Sequence, residues 1–421
     1  MPRAAHPFDE ALGRLNEAAH VLEPHHLATA AGRVARHIGA SDLTLYMVGY
    51  EQYQLMPVLA EGGLEHLEPL DIDTTLAGRC YINGTVVDAA PPEGGAGGAR
   101  QVWFPLLDGA ERLGVMSVTV ERLDDDTIQR GHFLATTVSH IMVSKQTTTD
   151  LYHVRRRRTD MTLAAEMHWR LIPPLTFESE RVAVAGILEP AYEIGGDAFD
   201  YSLDEDVAHV AIIDAMGHGL TATLPAAVCL GSFRHSRRHG LRLEETYAAA
   251  TVALDHFAAD LFVTAQLATL DLARGHLRLL NAGHPPPLLV RGGRVVGEVR
   301  CPPSLPVGVA EDVTDVIETQ LEPGDRLLFF TDGVVEGHEP GGEIFGVDRL
   351  SDVLSRVTLA GYGPAETLRR LSHAVLEHVD HHLQDDFTML FLEYRGPDVT
   401  HVERIMSGEE DPTFIDRGRR P

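Results

Sequence analysis

Residues 212–219 read Ile212-Ile213-Asp214-Ala215-Met216-Gly217-His218-Gly219, and this stretch says most about the fold. It closes an apolar run that starts at Val207 and predicts a buried β-strand. An aspartate at the end of such a strand lies at the rim of a packed sheet, and the glycines after it let backbone or a ligand approach closely. One such motif is weak evidence, because a strand-ending aspartate is more often a turn former.

Three further aspartates stand in similar contexts: Asp197 after Gly195-Gly196, Asp332 in Thr331-Asp332-Gly333, and Asp385 in Asp385-Asp386-Phe387. Four carboxylates that converge without a cation would repel one another, and no lysine or arginine lies inside the four motifs. Hard divalent cations such as Mg²⁺ and Mn²⁺ prefer oxygen ligands. The pattern therefore predicts a two-metal site of the kind that hydrolyses phosphate esters.

Five motifs in a fixed order make residues 160–394 resemble a known family. They are Glu193-Ile194-Gly195-Gly196-Asp197, Asp214-x-x-Gly217-His218-Gly219, Asn281-Ala282-Gly283-His284-Pro285-Pro286, Leu321-Glu322-Pro323-Gly324-Asp325 with Thr331-Asp332-Gly333, and Asp385-Asp386-x-Thr388. Together they resemble the SpoIIE/RsbU branch of the metal-dependent (PPM, protein phosphatase 2C-like) serine/threonine phosphatases. The segment from Leu163 to Pro174 is similar to the leader helix of that branch.

The resemblance implies a set of metal ligands. Asp214 would bridge two ions of Mn²⁺ or Mg²⁺, and Ala215 would add its main-chain carbonyl. Asp197 would bind the second ion, while Asp332 and Asp385 would hold the first. The implied reaction is direct attack of a metal-bridged hydroxide on phosphorus.

Further residues are candidates for supporting this chemistry. Asp386, Gly196 and Gly217 would hold the ligands in place without binding an ion. His218 is a candidate catalytic residue that protonates the leaving serine oxygen, although a structural role at the start of the next helix fits the sequence equally well. His284 is interpreted as a structural residue.

The rest of residues 177–395 alternates groups of strands with pairs of helices. This arrangement predicts an α+β unit, an αββα sandwich of two antiparallel sheets flanked by helices. Residues 144–176 predict a helical connector that ends at Pro173-Pro174. A weak apolar seam around Leu134 and Val138 is compatible with a parallel homodimer. Residues 396–421 read as a polar tail.

Residues 8–143 predict a separate α/β unit. Helical periodicity runs from Phe8 to His37, and strands and one further helix follow. The segments Val102 to Leu106 and Leu113 to Val118 resemble the closing motif of a GAF sensor domain. The resemblance implies either a small-molecule ligand or a dimerisation scaffold, and the sequence favours neither.

Composition narrows the function classes. The 421 residues include 62 acidic and 35 basic side chains, a formal net charge of −27, which disfavours nucleic acid and anionic membranes as partners. Neither a secretion signal nor a spanning segment is visible, so a cytoplasmic location is expected.

The sequence-based hypothesis is thus a protein serine/threonine phosphatase gated by a GAF domain. Its implied substrate is a phosphorylated anti-sigma-factor antagonist or a similar signalling protein. The alternative is a non-catalytic regulatory module that keeps the PPM fold and binds a partner. A two-metal nuclease is disfavoured, because it would need a positive surface.

Overall fold

The computed structural model describes residues 6–89, 99–193, 195–217, 219–257, 260–302, 304–309, 315–338, 342–383 and 385–397. The chain forms two compact units, and the boundary between them falls at Thr159 and Asp160, inside the predicted connector. His218 and most of the predicted tail, from residue 398 onwards, lie outside the described residues. Within the described part of the chain, no helix is both long and apolar enough to cross a membrane.

The first unit is a six-stranded antiparallel sheet with helices on both faces. Its elements are α1 (Pro7–Ala18), α2 (Leu27–Ala35), β1 (Ala40–Val48), β2 (Gln54–Ala60), β3 (Leu70–Asp71), α3 (Leu76–Asn83), β4 (Val87–Ala89), β5 (Arg100–Asp108), β6 (Glu111–Val120), α4 (Asp125–Gln146) and α5 (Leu151–Arg155). The strand order is β3-β2-β1-β6-β5-β4. The helical periodicity from Phe8 to His37 corresponds to two helices rather than one, because the helix is interrupted between α1 and α2, where Pro24 opens a short 3₁₀ turn.

Side chains alternate between the two faces of this sheet. Leu45 and Phe104 pack beneath α1, α2 and α4, whereas Tyr46 and Trp103 pack beneath α3. The rings of Tyr46 and Trp103 meet edge to face with centroids 5.8 Å apart. Because both faces are covered, β1, β5 and β6 are buried over most of their length. The assignment of this unit to the GAF family stays a prediction.

The second unit is a sandwich of two antiparallel sheets. Its elements are α6 (Leu163–Leu171), β7 (Thr176–Glu178), β8 (Val182–Glu189), β9 (Asp197–Asp204), β10 (Val207–Ala215), α7 (Leu220–Arg238), α8 (Leu243–Phe257), β11 (Val263–Asp271), β12 (His276–Ala282), β13 (Leu288–Arg291), β14 (Arg294–Glu298), β15 (Val316–Gln320), β16 (Arg326–Phe330), α9 (Gly333–Glu336), α10 (Gly346–Leu359), α11 (Pro364–His378) and β17 (Phe387–Tyr394). One sheet has the order β15-β12-β11-β10-β9 and the other β14-β13-β16-β17-β8-β7.

Strand periodicity assigns each side chain of this unit to a layer. Along β10, Val210 and Ile212 enter the core between the sheets, while Ala211 and Ile213 pack against α7 and α8. Helices α10 and α11 pack on the other sheet. The α+β class and the antiparallel sheets predicted from the sequence are therefore confirmed.

Candidate metal centre

Two of the predicted ligands lie on neighbouring strands of the first sheet of the sandwich. Asp197 opens β9 and Asp214 is the penultimate residue of β10, and the two are direct partners across the antiparallel pair. Each lies two residues from a side chain of the inter-sheet core, Phe199 and Ile212 respectively. The period of two therefore directs both carboxylates into the space between the sheets, at one end of the sandwich.

The second sheet brings further carboxylates to the same end. Asp332 follows β16 and precedes α9, and Asp385 and Asp386 directly precede β17. Since β16 and β17 are antiparallel partners, the end of one lies beside the start of the other. The structure thus places the four aspartates that the sequence singles out at one edge of the sandwich.

Threonines join the two sheets at this edge. The Thr331 hydroxyl donates to Asp197 Oδ2 at 2.6 Å, and the Thr388 main-chain N–H donates to Thr331 Oγ1 at 2.8 Å. Asp197 is only 3% exposed, so its carboxylate is held in a single orientation by a buried partner.

Asp386 supports the loop before β9. Its Oδ2 accepts main-chain hydrogen bonds from Gly195 and Gly196 at 2.8 Å each, and from Asp197 at 3.3 Å. One carboxylate thereby accepts hydrogen bonds from three consecutive N–H groups and fixes the point at which β9 begins. The role that the sequence analysis gives Asp386, holding the metal ligands in place, stays a prediction.

Gly196 of this loop lies directly against Ala215, the last residue of β10. The Ala215 N–H donates to the Gly196 carbonyl at 3.2 Å. A Cβ on Gly196 would lie 2.1 Å from the Ala215 carbonyl oxygen, so only glycine fits there. Gly217 follows with a φ of 98°, a left-handed conformation that favours glycine.

The carboxylates at this edge raise one another's pKa. Burial, and then Asp332, Asp385 and Asp386, raise the pKa of Asp214 to about 7. Burial and the charges of Asp214 and Asp386 likewise raise the pKa of Asp197. Burial, followed by the neighbouring aspartates, raises the pKa of Asp385. No arginine or lysine is among the groups of the described chain that shift these values most.

This donor set fits hard divalent cations. Every side-chain ligand candidate is a carboxylate, and accumulated negative charge without a cationic partner is what a bound metal ion relieves. The candidates come from both sheets and do not form a compact one-ion cluster. Among the described residues, the group whose ligand atoms all lie within 4.8 Å of one another is Glu23, His25 and His26, exposed in the first unit.

Two site residues escaped the sequence analysis. Thr264 is the direct partner of Asp214 on β11, and its hydroxyl opposes the rise in the pKa of Asp214. His168 of α6 is fully buried, and burial lowers its pKa to about 4, an effect opposed by the Asp386 carboxylate and the Asp197 carbonyl. Only strand register identifies the first, and only the packing of α6 identifies the second.

The raised pKa of Asp214 predicts a pH-dependent stability of the metal-free protein. The folded state keeps a proton on Asp214 up to about pH 7, whereas the unfolded chain releases it near pH 4. Between these values the folded state binds more protons, so the free energy of unfolding falls as the pH rises. In EDTA and above pH 7, the free energy of unfolding of Asp214→Asn should therefore exceed that of the wild type by about 2–4 kcal/mol. The difference should vanish near pH 4. Urea unfolding at several pH values measures it.

The control for this measurement is Asp352→Asn, at an exposed position of α10. This variant should match the wild type at every pH. A stability difference between Asp214→Asn and wild type that stays constant from pH 4 to pH 8 would contradict the prediction.

Comparison with known proteins finds one matching family model and several proteins that are similar to part of this chain. Residues 204–395 match the family model of stage II sporulation protein E (SpoIIE). The chain is 23% identical over 268 residues to Protein IcfG of Synechocystis sp., covering 55% of this chain and 41% of that protein. It is 22% identical over 241 residues to phosphoserine phosphatase RsbU of Bacillus subtilis, covering 56% of this chain and 70% of RsbU.

Part of this chain is also similar to a solved structure. The SiaA-PP2C domain of Pseudomonas aeruginosa is 21% identical, with a TM-score of 0.47, and the match covers 55% of this chain and 93% of that domain.

Proposed function

Because residues 204–395 carry a SpoIIE-family domain, we propose that the chain is a metal-dependent protein serine/threonine phosphatase. The observation that carries this proposal is the convergence of Asp197, Asp214, Asp332 and Asp385 at one edge of the sandwich. A relative that matches more than half of this chain, RsbU of Bacillus subtilis, is named a phosphoserine phosphatase.

The proposed cofactor is a pair of Mn²⁺ or Mg²⁺ ions. Asp214 would contact both ions, Asp197 would hold one of them, Asp332 and Asp385 would hold the other, and the Ala215 carbonyl would complete one shell. Two such ions supply an activated water and neutralise the charge of a phosphoryl group.

Neighbouring residues of the protein fix the positions of these ligands. Thr331 fixes the orientation of Asp197, and Asp386 fixes the loop before it. His218 directly follows Gly217, and we assign it the transfer of a proton to the leaving serine oxygen.

The substrate we propose is a phosphorylated anti-sigma-factor antagonist or a similar small signalling protein. The first unit would act as a GAF-type sensor, either by binding a small molecule or by forming a homodimer. Its signal would reach the site through α6, because Trp169 of that helix donates to the Ala191 carbonyl at 2.8 Å, four residues before the Gly195-Gly196 loop.

Phosphate release tests the proposed activity. The full-length protein with Mn²⁺ should release phosphate from a phosphoserine-containing protein, and EDTA should abolish the release. Asp332→Asn should lower kcat about 10²–10³-fold, because it removes one carboxylate from the proposed site. Asp352→Asn, exposed on α10, is the matched control and should retain the wild-type rate.

Phosphate release by the wild type must depend on Mn²⁺ for the proposal to stand. If the wild-type protein releases no phosphate at any Mn²⁺ concentration, this result would instead support a non-catalytic binding module. Equal rates for Asp332→Asn and wild type would also contradict the proposal.

A further inference from the structure

Three exposed apolar side chains follow Asp214 closely in the chain. Met216, Leu220 and Leu224 are 39–47% exposed, and together they are named the apolar rim. Leu220 and Leu224 lie in the first two turns of α7 and share one helix face, because residues four apart lie above one another on a helix. Single exposed apolar residues are common on protein surfaces, whereas apolar residues that lie together mark an interaction site.

The apolar rim lies at the edge of the candidate metal centre. Met216 is two residues after Asp214, so the Cα atoms of the two residues are at most about 7 Å apart. Thr223 is buried on α7 between the two leucines of the rim, and its Oγ1 lies 2.9 Å from the Gly195 carbonyl oxygen. This contact holds the first turns of α7 against the loop before β9, so the two leucines project beside that loop.

The segment that carries the apolar rim has no acidic residue, lysine or arginine. Residues 215–233 contain none of these four types, although 23% of the residues in the chain are charged. Leu359 at the end of α10 is a contrast, because it is 55% exposed but shares its helix face with the exposed Asp352 and Arg356. A charged side chain that packed on the rim would lose water and find no ion-pair partner in this segment. The rim therefore suits an apolar partner.

A second uncharged segment continues the same edge. Val263 is the partner of Ala215 across β10 and β11, and it exchanges main-chain hydrogen bonds with Val307 at 3.0 and 2.9 Å. Leu305 and Val309, each two residues from Val307, are more than half exposed. Exposed apolar side chains therefore come from more than one backbone segment of the edge at which the proposed metal ligands lie.

We propose that the apolar rim is a docking surface for apolar side chains that flank the phosphoserine of the protein substrate. The inference rests on the proposed function and narrows the substrate class of the same site. A phosphoserine held at the metal centre carries polypeptide on both sides, and each residue of an extended chain spans about 3.3 Å. Side chains about two to four residues from the phosphoserine therefore reach a rim that begins two residues after Asp214. Leucine, isoleucine, valine or methionine at these positions is bound in preference to polar residues.

Two phosphoserine peptides of equal length test this preference on the full-length protein with Mn²⁺. One peptide has leucine at the third position before and after the phosphoserine, and the other has glutamine at both positions. The wild type should hydrolyse the leucine peptide with a kcat/KM about 10-fold higher, the low end of what an apolar contact in a pocket contributes. Phenyl phosphate, which has no flanking residues, supplies the reference rate.

The test variant combines Leu220→Gln with Leu224→Gln, because glutamine is a polar residue that favours a helix almost as well as leucine. This variant should hydrolyse the two peptides with nearly equal kcat/KM, and the loss for the leucine peptide should lie in KM, since the rim contacts flanking residues and not the reacting group. Damage to the fold or to the metal centre would lower both peptides alike and leave their ratio unchanged. Leu359→Gln, on the charged face of α10, is the matched control and should keep the wild-type preference.

The outcomes separate this inference from the proposed activity. An active wild type without a preference, or with a preference that the double variant keeps, would overturn the docking surface and leave the phosphatase intact. If the wild type hydrolyses neither peptide nor phenyl phosphate, the proposed function fails and the fluorescence anisotropy of labelled peptides decides the docking. Tighter binding of the leucine peptide that the double variant loses would support the rim, and equal binding of both peptides would overturn it.

Light scattering identifies a different occupant of the rim. If the double variant converts a dimer to a monomer and keeps the peptide preference, the rim is a contact between two copies of this chain, and the docking proposal is overturned.

Discussion

Replacing Asp214 by asparagine is expected to lower kcat/KM about 10⁴-fold or more, the largest loss among the single substitutions considered. Asp214 is the residue proposed to contact both ions, so its loss would disturb both rather than one. A 10⁴-fold loss corresponds to about 5.5 kcal/mol of transition-state stabilisation. Phosphate release at saturating Mn²⁺ measures it.

The same substitution should stabilise the metal-free fold, because it removes a carboxylate whose pKa burial and three neighbouring aspartates raise to about 7. Mn²⁺ at about 100 times its dissociation constant should stabilise the wild type by about 2.7 kcal/mol and Asp214→Asn by much less. A variant that is both less active and less stable in EDTA above pH 7 would indicate that Asp214 is a structural residue, and would contradict this account.

Gly196→Ala is expected to produce the second-largest loss. A Cβ at this position would lie 2.1 Å from the Ala215 carbonyl oxygen and 3.0 Å from its carbon. Both atoms belong to the backbone, so no side chain can rotate away. The loop itself is restrained, because the Gly196 N–H donates to Asp386 at 2.8 Å. Relief of the clash must therefore displace Asp197 or the Ala215 carbonyl, and both are proposed metal ligands.

We expect Gly196→Ala to lower kcat at least about 10³-fold and to cost about 1–3 kcal/mol of stability, as overpacking usually does. Circular dichroism and phosphate release together measure the two effects. Gly231→Ala is the matched control, since a Cβ there meets nothing within 4 Å on α7. It should retain activity and be slightly more stable, because alanine favours a helix over glycine. Equal activity of Gly196→Ala and Gly231→Ala would contradict the proposed geometry.

The sequence predicted the elements that carry strong local signals. The apolar runs of β10, β16 and β17 and the turn residues next to them gave the positions of Asp214, Asp332 and Asp385. Strand β9 was not predicted, because Asp197–Asp204 mixes charged and apolar residues after two glycines. Asp197 therefore opens a strand rather than following one.

Other parts of the site depend on packing that no local pattern records. The partnership of Thr264 with Asp214 follows from the register of β11 on β10, which is decided by long-range pairing. The contact of His284 with the Thr264 hydroxyl could not be predicted either, because that hydroxyl lies on another strand. Edge strands such as β14 and β15 were missed because each has only two neighbouring large apolar residues, and β14 is mostly exposed while β15 is only partly buried.

The hydrogen bond between Asp386 and Gly195 joins residues 191 positions apart in the chain. A ribosome that adds about 5–20 residues per second needs roughly 10–40 s to pass from one to the other. During that interval Asp197 is already part of the nascent chain, and Asp214 soon joins it. Asp385 and Asp386, which complete their surroundings, have not yet been added. The proposed activity and metal affinity should therefore appear only when synthesis of the whole second unit is finished.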